Sequence, residues 1–553
     1  MKSVNKYLTG NLIIILGVSL IWLPFFYYAP LIYINADSPE YYNILSAFEQ
    51  HSTNYIGTPQ IGYSVLLKIC ELLINKLWFL SFTQIGLNLL SVLLFYFVYY
   101  KVFNKNLILV SIILLGYLTS DANLFWDTSI MPDSLLASVF VTCLSLFIYI
   151  IMKRKYRLNY VLTLVIVFGI SVRPSAIVLL SFLIIILFSL WLERKKKLVF
   201  KNLLFIFFSL SILGLVNLYL PFKGSFSLFG KRGSIYGYEM REPFSEELRG
   251  NESIRKLSSI VDDEYLKAYK DFENENDISK KYYLYDTYFK RPLSLRISAF
   301  DSVSLLLRKN RTFDLNLDSS KILNKKAFYE FKEGFIKKYP GYSILSFEVK
   351  KNVQFQSLLF LYFFKEFYNT SDGQGTYLNS NFYSKSLEVR WKYHYVDNLW
   401  KKYSKRDWRL VSHNVSARTT KELSSSPKLK MEDFKKFKKE YKGSFIYKNI
   451  IQPYYSIHKY LFRNILYVIS FLIVFFISIY GVVKSKFKSP LFLMTMGASS
   501  IVLGVNILHS IVLMFFNMRY LHQTSFIFYF SLIIMPVVIN SFLLLIKNKP
   551  NVK

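Results

Sequence analysis

Long apolar runs recur along this 553-residue chain, separated by short polar stretches and by one long polar interval after the seventh run. An α-helix needs roughly 18 or more apolar residues to cross a hydrocarbon core of about 30 Å. The two shortest runs would need tilt or local thinning of the bilayer. The runs lie at 8–34, 77–100, 106–118, 132–152, 158–172, 174–192, 200–221, 464–483, 489–516 and 523–546. The pattern predicts a mainly α, polytopic membrane protein with about ten spans.

Lys and Arg residues occupy every second connection between these runs. Such residues are enriched in cytoplasmic loops, so their distribution indicates how the chain is oriented. The clusters lie at positions 2 and 6, 101 and 105, 153–155, 194–197, 484–488, and 547 and 549. The alternation predicts that both termini are cytoplasmic. It also places the loop 35–76 and the segment 222–463 on the external side.

Three regions follow from this topology. Residues 1–221 are expected to form an N-terminal transmembrane module of seven spans, and 464–553 are expected to form spans 8–10. Between them, 222–463 is long enough to fold as a domain of its own, of α or α+β type, outside the membrane.

Composition narrows the class of protein further. The chain is 53% hydrophobic with a mean hydropathy of +0.28, and its formal net charge is +33. The spans exclude a soluble nucleic-acid-binding protein, and anionic membrane lipids are the expected partners of the surplus Lys and Arg. Cys70 and Cys143 lie in apolar or interfacial segments, so they predict neither a disulfide framework nor a metal site.

The first external loop begins with an acid, Asp37, directly after the first span. Ser38-Pro39-Glu40 then has the residue types of a helix start: a hydroxyl cap, a proline in the first turn and an acid near the positive helix end. A second such signal precedes a predicted surface helix from Pro59 to about 76. The loop residues expected near a substrate are Glu40, Tyr41, Tyr42, Pro59 and Tyr63. Alternatively, Asp37 simply marks the end of a span.

Two other external connections carry charged residues. The second connection contains Asp133, at the start of the fourth run, as the first candidate for a site acid and Asp127 as the second. Asp133 could also be an ordinary acid in the first turn of a helix. Arg173, followed by Pro174, lies at a corner between two apolar runs, where a charge needs an acid, a phosphate or water as partner. The last corner contains Arg519, Tyr520 and His522.

The acid at 37, the acid followed by serine at 133–134 and the Arg-Pro corner at 173–174 resemble features of the GT-C class of polytopic glycosyltransferases. That class uses polyprenyl-phosphate sugars and includes protein mannosyltransferases and lipid A aminoarabinose transferases. The resemblance covers mainly residues 1–221 and rests on short motifs.

The resemblance implies roles for several residues. Asp37 would be the catalytic base, with Asp133 or Asp127 as a second catalytic acid. Arg173, Arg519 and His522 would bind the donor phosphate, since a guanidinium makes paired charge-assisted hydrogen bonds to phosphate. A divalent metal ion held by Asp133 would be an alternative, although the Asp-x-Asp pair of some members of the class is absent from these loops.

The expected function is therefore transfer of a sugar from a polyprenyl-phosphate donor to a lipid, glycan or protein acceptor, on the external face of a bacterial inner or plasma membrane. A glycan polymerase of the O-antigen or capsule type is the alternative, and it would depend on arginines rather than on Asp37. A lipid-linked sugar transporter is a further alternative. It would need polar residues at mid-membrane and broken helices in corresponding halves.

Overall fold

The computed structural model describes residues 2–28, 41, 61–74, 77–120, 123, 126–127, 130–219, 267, 270–277, 280–281, 443–454, 464–507 and 523–547. These residues are mostly helical and none of them lies in a strand, which confirms the predicted mainly α class. The chain divides into two compact units. The first comprises Met1–Lys231, Phe367–Val505 and Asn517–Lys553, and the second comprises Arg232–Glu366 and Asn506–Phe516. The predicted domain boundaries stay predictions.

The described helices follow the apolar runs of the sequence. They are α1 (Lys2–Tyr28), α2 (Ile61–Leu73), α3 (Leu77–Val102), α4 (Leu107–Leu118), α5 (Asp133–Lys153), α6 (Asn159–Val172), α7 (Leu180–Leu192), α8 (Lys196–Tyr219), α9 (Asn464–Lys484), α10 (Pro490–Ile507) and α11 (Ser525–Lys547). Short 3₁₀ helices precede α6 and α7, at Tyr156–Leu158 and Pro174–Leu179, and a π-helix occupies Tyr447–Ile451.

Eight helices of the described residues are long and apolar enough to cross a membrane. The apolar helices at 107–118 and 156–172 fall short of that length, and they match the two shortest runs of the sequence. The 12 residues of α4 rise only about 18 Å, well below the hydrocarbon thickness of about 30 Å. The eight long apolar helices are compatible with a polytopic membrane protein, while ten spans and the external domain remain predictions.

The described helices of the first unit pack side by side along a common core. Helix α3 lies against α5, α1 against α4, and α9 against α11, while α6 contacts both α5 and α8. Tyr117 near the end of α4 meets the rings of Phe526 and Tyr529 in α11, with centroids 4.8 and 5.3 Å apart. Tyr467 of α9 packs on Tyr529 as well, at 4.5 Å. These aromatic contacts join the last spans to the N-terminal ones.

Helix α2 and Tyr41 belong to the loop 35–76, which is predicted to be external. The bounds of α2 match the predicted surface helix to within a few residues. Its buried stripe consists of Tyr63, Leu67 and Cys70, which recur at helical spacing. Leu73, which the sequence pattern groups with Leu67 and Cys70, is 68% exposed. The helix therefore attaches to the bundle through its first half.

Candidate functional site

Three buried charged side chains of the described residues meet at one end of the helix assembly. Asp127, Asp133 and Arg173 are 1, 2 and 8% exposed. We call these three, with the adjoining polar residues Gln84, Asn88 and Ser134, the polar cluster. Ionisable groups at membrane depth are costly and mark functional sites by default, so this cluster is the natural candidate site.

Arg173 and Asp133 form an ion pair through the guanidinium Nη1 and the carboxylate Oδ1. Asp133 is the first residue of α5, where the positive end of the helix favours an acid. Arg173 ends α6 in an extended conformation, and Pro174 then starts the next 3₁₀ helix. The helix ends thus bring together two charges that are 40 residues apart in sequence. Among the described residues, no donor lies within hydrogen-bond distance of Asp133 Oδ2.

Asp127 accepts hydrogen bonds from an amide and from a hydroxyl group. Asn88 of α3 donates from Nδ2 to Asp127 Oδ2 at 3.3 Å, and Ser134 Oγ donates to Asp127 Oδ1. Since Ser134 follows Asp133 directly, the first turn of α5 supports both carboxylates. The two acids of the second external connection therefore belong to one site but have different partners.

Gln84 connects this cluster to the first external loop. Its Nε2 donates to the backbone carbonyl of Asp127 at 2.8 Å, and its Oε1 accepts from the hydroxyl of Tyr63 at 2.8 Å. The ring of Tyr63 meets that of Tyr41 edge to face, with centroids 5.0 Å apart. Ser64 Oγ donates to the carbonyl of Tyr41 at 2.8 Å. Tyr63 is thus linked to Asp127 through Gln84, and Tyr41 packs on Tyr63; both tyrosines are predicted substrate-loop residues.

Gly62 allows α2 to approach the end of α6 closely. A Cβ at position 62 would lie 2.4 Å from Ser171 Oγ and 2.9 Å from the backbone of Ser171 and Val172. Only a residue without a side chain fits this contact. Because Arg173 follows Val172, the contact seats the first-loop helix directly beside the corner that carries the arginine.

The last connection, which is predicted to be external, contacts the Arg173 corner through Gln523. Its Oε1 accepts a hydrogen bond from Ser175 Oγ at 2.9 Å, two residues beyond Arg173. Gln523 is buried, and among the described residues its Nε2 has no hydrogen-bond partner. The predicted phosphate-binding residues of this corner, Arg519 and His522, lie outside the described residues.

The structure therefore brings together five of the predicted site residues: Tyr41, Tyr63, Asp127, Asp133 and Arg173. The predicted base Asp37 and the loop residues Glu40, Tyr42 and Pro59 lie outside the described residues.

Sequence reasoning missed one member of the polar cluster, Gln84, and noted Ser134 only as the serine that follows Asp133. A signal for Gln84 exists, since Gln84 and Asn88 are four residues apart and so share one face of an otherwise apolar helix.

The predicted divalent metal ion fits the described residues poorly. Within the described part of the chain, no group of three or more His, Cys, Asp or Glu side chains could hold a metal ion. The guanidinium of Arg173 lies on one oxygen of Asp133, and a second cation beside it would be repelled. Metal dependence stays a prediction.

Eight apolar helices of spanning length and a buried polar cluster at one end define an α-helical integral membrane protein. Comparison of the chain with protein-family models, with curated proteins and with solved structures finds no match in any of the three. The function is therefore inferred from the site itself.

Proposed function

We propose that this protein is a polytopic membrane glycosyltransferase that moves a sugar from a polyprenyl-phosphate donor to a lipid, glycan or protein acceptor. The observation that carries the proposal is the polar cluster, in which two buried carboxylates and a buried arginine meet at one end of an apolar helix assembly. Such a site suits a substrate with a charged phosphate and sugar at the membrane face and an isoprenoid tail among the helices.

Asp37 is the proposed general base. It would take the proton of the acceptor hydroxyl while the sugar leaves the donor phosphate; a carboxylate can perform this role when it lies within hydrogen-bond reach. Four residues along the chain lead from Asp37 to Tyr41, a length that spans at most about 14 Å. Tyr41 packs on Tyr63, which is linked to the polar cluster through Gln84. This connection supports a base from the first loop acting at the cluster.

Arg173 is the proposed contact for the donor phosphate. A guanidinium carries five N–H donors in a planar fork, so it can bind a carboxylate and a phosphate oxygen together. Asp133 stabilises the buried cation before the donor binds and fixes the orientation of the guanidinium. Arg519 and His522 are proposed to bind the donor phosphate together with Arg173, since the neighbouring Gln523 contacts the Arg173 corner.

Asp127 and Asp133 then have separate tasks. Asp133 orients the arginine. Asp127, which accepts hydrogen bonds from Asn88 and Ser134, is the proposed second acid facing the sugar. Its backbone carbonyl also anchors Gln84, so Asp127 joins the second external connection to the first-loop helix.

The experiment that tests the function has two steps. Mass analysis of polyprenyl-linked sugars from cells with and without the protein identifies the donor that accumulates. The purified protein in proteoliposomes is then given that donor together with a membrane and glycan extract of the cells that lack the protein, which supplies the acceptor. Release of free polyprenyl phosphate and transfer of the sugar to the acceptor are followed. Accumulation of one donor and its consumption by the protein are expected. If no lipid-linked sugar accumulates and none is consumed, the proposal is wrong.

A further inference from the structure

Three basic connections between helices come together at the end of α5 opposite to the polar cluster. They are the segments 153–157, 193–197 and 484–488, which we call the basic surface. The first two are joined by a hydrogen bond of 2.6 Å from the Tyr156 hydroxyl to Glu193 Oε1. The third is joined through Phe487, whose ring meets that of Phe188 in α7 edge to face at 5.4 Å. Connections that are distant in sequence therefore form one continuous surface.

Glu193 is an acid among these cations, and both its oxygens are occupied. Oε1 accepts from Tyr156 and lies 3.6 Å from Arg154 Nε, while Oε2 lies 2.6 Å from Lys195 Nζ. Lys195 also lies over the ring of Tyr156, with Nζ 4.7 Å from its centroid. Partial burial acts to raise the pKa of the Glu193 carboxyl, but the bonds from Lys195 and Tyr156 and the nearby charges outweigh it and lower the pKa. Glu193 thus links two basic connections by hydrogen bonds and ion pairs.

The other cations of these two connections have no such partner. Among the described residues they form no ion pair, and all of them are exposed: Lys153, Lys155, Arg157, Arg194, Lys196 and Lys197. The lysines of 484–488 are exposed too. Trp191 and Phe487, at the edge of the same surface, are 58 and 39% exposed. Aromatic rings beside cations at a helix end are typical of the headgroup region of a membrane.

The backbone of all three connections adds a second observation. Each turns through a basic residue with positive φ: Arg154 at 53°, Arg194 at 58° and Lys486 at 49°. Gly or Asn adopts this left-handed conformation with less strain. The chain thus has Lys or Arg at three positions where the backbone conformation favours Gly or Asn. This choice of residue indicates that the positive charges themselves have a role, such as binding an anion.

We propose that the basic surface binds the phosphate-bearing headgroups of anionic phospholipids in the leaflet that surrounds it. The general excess of Lys and Arg in cytoplasmic loops accounts for positive residues in each connection separately. It does not account for the assembly of two connections around Glu193, with the third packed beside them through Phe487. Each Lys or Arg near an anionic leaflet strengthens the attraction, so several acting together select anionic over zwitterionic lipid.

The test compares two triple variants of the full-length protein in nanodiscs that contain a minority of phosphatidylglycerol in phosphatidylcholine. Arg194→Gln/Lys196→Gln/Lys197→Gln removes three charges from the basic surface but keeps Glu193 and its partners. The matched control, Lys6→Gln/Lys105→Gln/Lys547→Gln, removes three exposed charges from other helix ends on the same predicted side. The lipids retained by each protein after purification are counted by mass spectrometry.

Wild type and control should enrich phosphatidylglycerol equally, and the surface variant should lose that enrichment by about tenfold or more. Raising the salt concentration should weaken the enrichment in wild type, since these charges are exposed. Equal enrichment by the two variants would overturn the proposal. So would displacement of the lipid by millimolar inorganic phosphate, because the surface would then bind free phosphate rather than a headgroup.

Discussion

The polar cluster and the basic surface lie at opposite ends of α5, and they handle charge in opposite ways. Asp133 begins this helix and Lys153 ends it, and its 21 residues rise about 30 Å. In the polar cluster, each described carboxylate is buried and bound by a cation or by side-chain donors. On the basic surface Glu193 pairs with two cations, and the other cations are exposed and form no ion pair with the residues that the structure describes.

The difference shows what burial demands of charged residues. Moving an ion out of water costs free energy, so a buried side chain stays charged only when it has close partners. Each buried charge of the polar cluster therefore needs a structural or functional reason. Exposed cations are stabilised by water, so the basic surface can carry an excess of one sign at little cost. Chemistry on a substrate is therefore expected at the first end and recognition of headgroups at the second.

The largest expected effect concerns the side of the membrane on which each end lies. We expect Ser371→Cys, in the segment predicted to be external, and Ser485→Cys, on the basic surface, to react with a membrane-impermeant thiol reagent from opposite sides. The unsubstituted protein is the control, because its two thiols, Cys70 and Cys143, are buried. Labelling of both sites from one side would contradict the predicted topology.

Breaking the buried ion pair should have the next largest effect. Asp133→Asn leaves Arg173 buried without its counter-charge and should lower the free energy of unfolding by about 3–5 kcal/mol. The double variant Asp133→Asn/Arg173→Gln should recover part of that loss, because no buried charge remains. Thermal unfolding in detergent micelles gives both values. A loss below about 1 kcal/mol in the single variant, as for an exposed pair, would mean that the pair is solvated.

A smaller loss is expected where the first-loop helix meets the Arg173 corner. Gly62→Ala places a methyl group 2.4 Å from Ser171 Oγ and against backbone atoms, so α2 must shift at a cost of about 1–3 kcal/mol. Gly86→Ala is the matched control, since no heavy atom lies within 4 Å of its Cβ position. Helix propensity makes that control neutral or stabilising by up to about 1 kcal/mol. Equal melting temperatures for the two variants would show that α2 does not need this contact.

The smallest effect is expected at the basic surface. The pKa of Glu193 is lowered in the folded protein, so its contribution to stability is present above the usual value of 4.5 and is lost as pH falls through the folded pKa. Glu193→Gln should cost less than about 1 kcal/mol near neutral pH, as exposed ion pairs do. Below pH 4.5 the two melting temperatures should converge. If the difference in melting temperature between wild type and Glu193→Gln stayed constant from pH 3.5 to 7, the carboxylate charge would not contribute to stability.

The helices and the candidate residues could be predicted from sequence to different degrees. Apolar runs indicate helices directly, and even the two short ones, α4 and α6, correspond to the shortest runs. Arg173 was expected to need a partner because of its depth, but the sequence does not say which one. Its pairing with Asp133 depends on how α5 and α6 pack, and packing is set by side-chain shapes along whole helices.

The same holds for the link between the first and second external connections. Asn88 of α3 donates a hydrogen bond to Asp127 of the second connection. Gln84 carries the link to Tyr63, yet a single glutamine in an apolar helix has many possible partners. The spacing of Gln84 and Asn88 indicates a shared polar face, while the identity of the residues opposite that face comes only from the fold.

The most direct measurement is the turnover of Asp37→Asn with the donor lipid in proteoliposomes. The amide keeps the shape of the side chain but cannot accept the proton, and general-base catalysis is typically worth about 10²- to 10⁴-fold. Turnover should fall by that range while donor binding survives. Glu40→Gln, three residues away, is the comparison and should lose much less turnover than Asp37→Asn, because the predicted helix start accounts for that acid. Near-normal turnover by Asp37→Asn would contradict the proposed mechanism and favour an arginine-dependent polymerase.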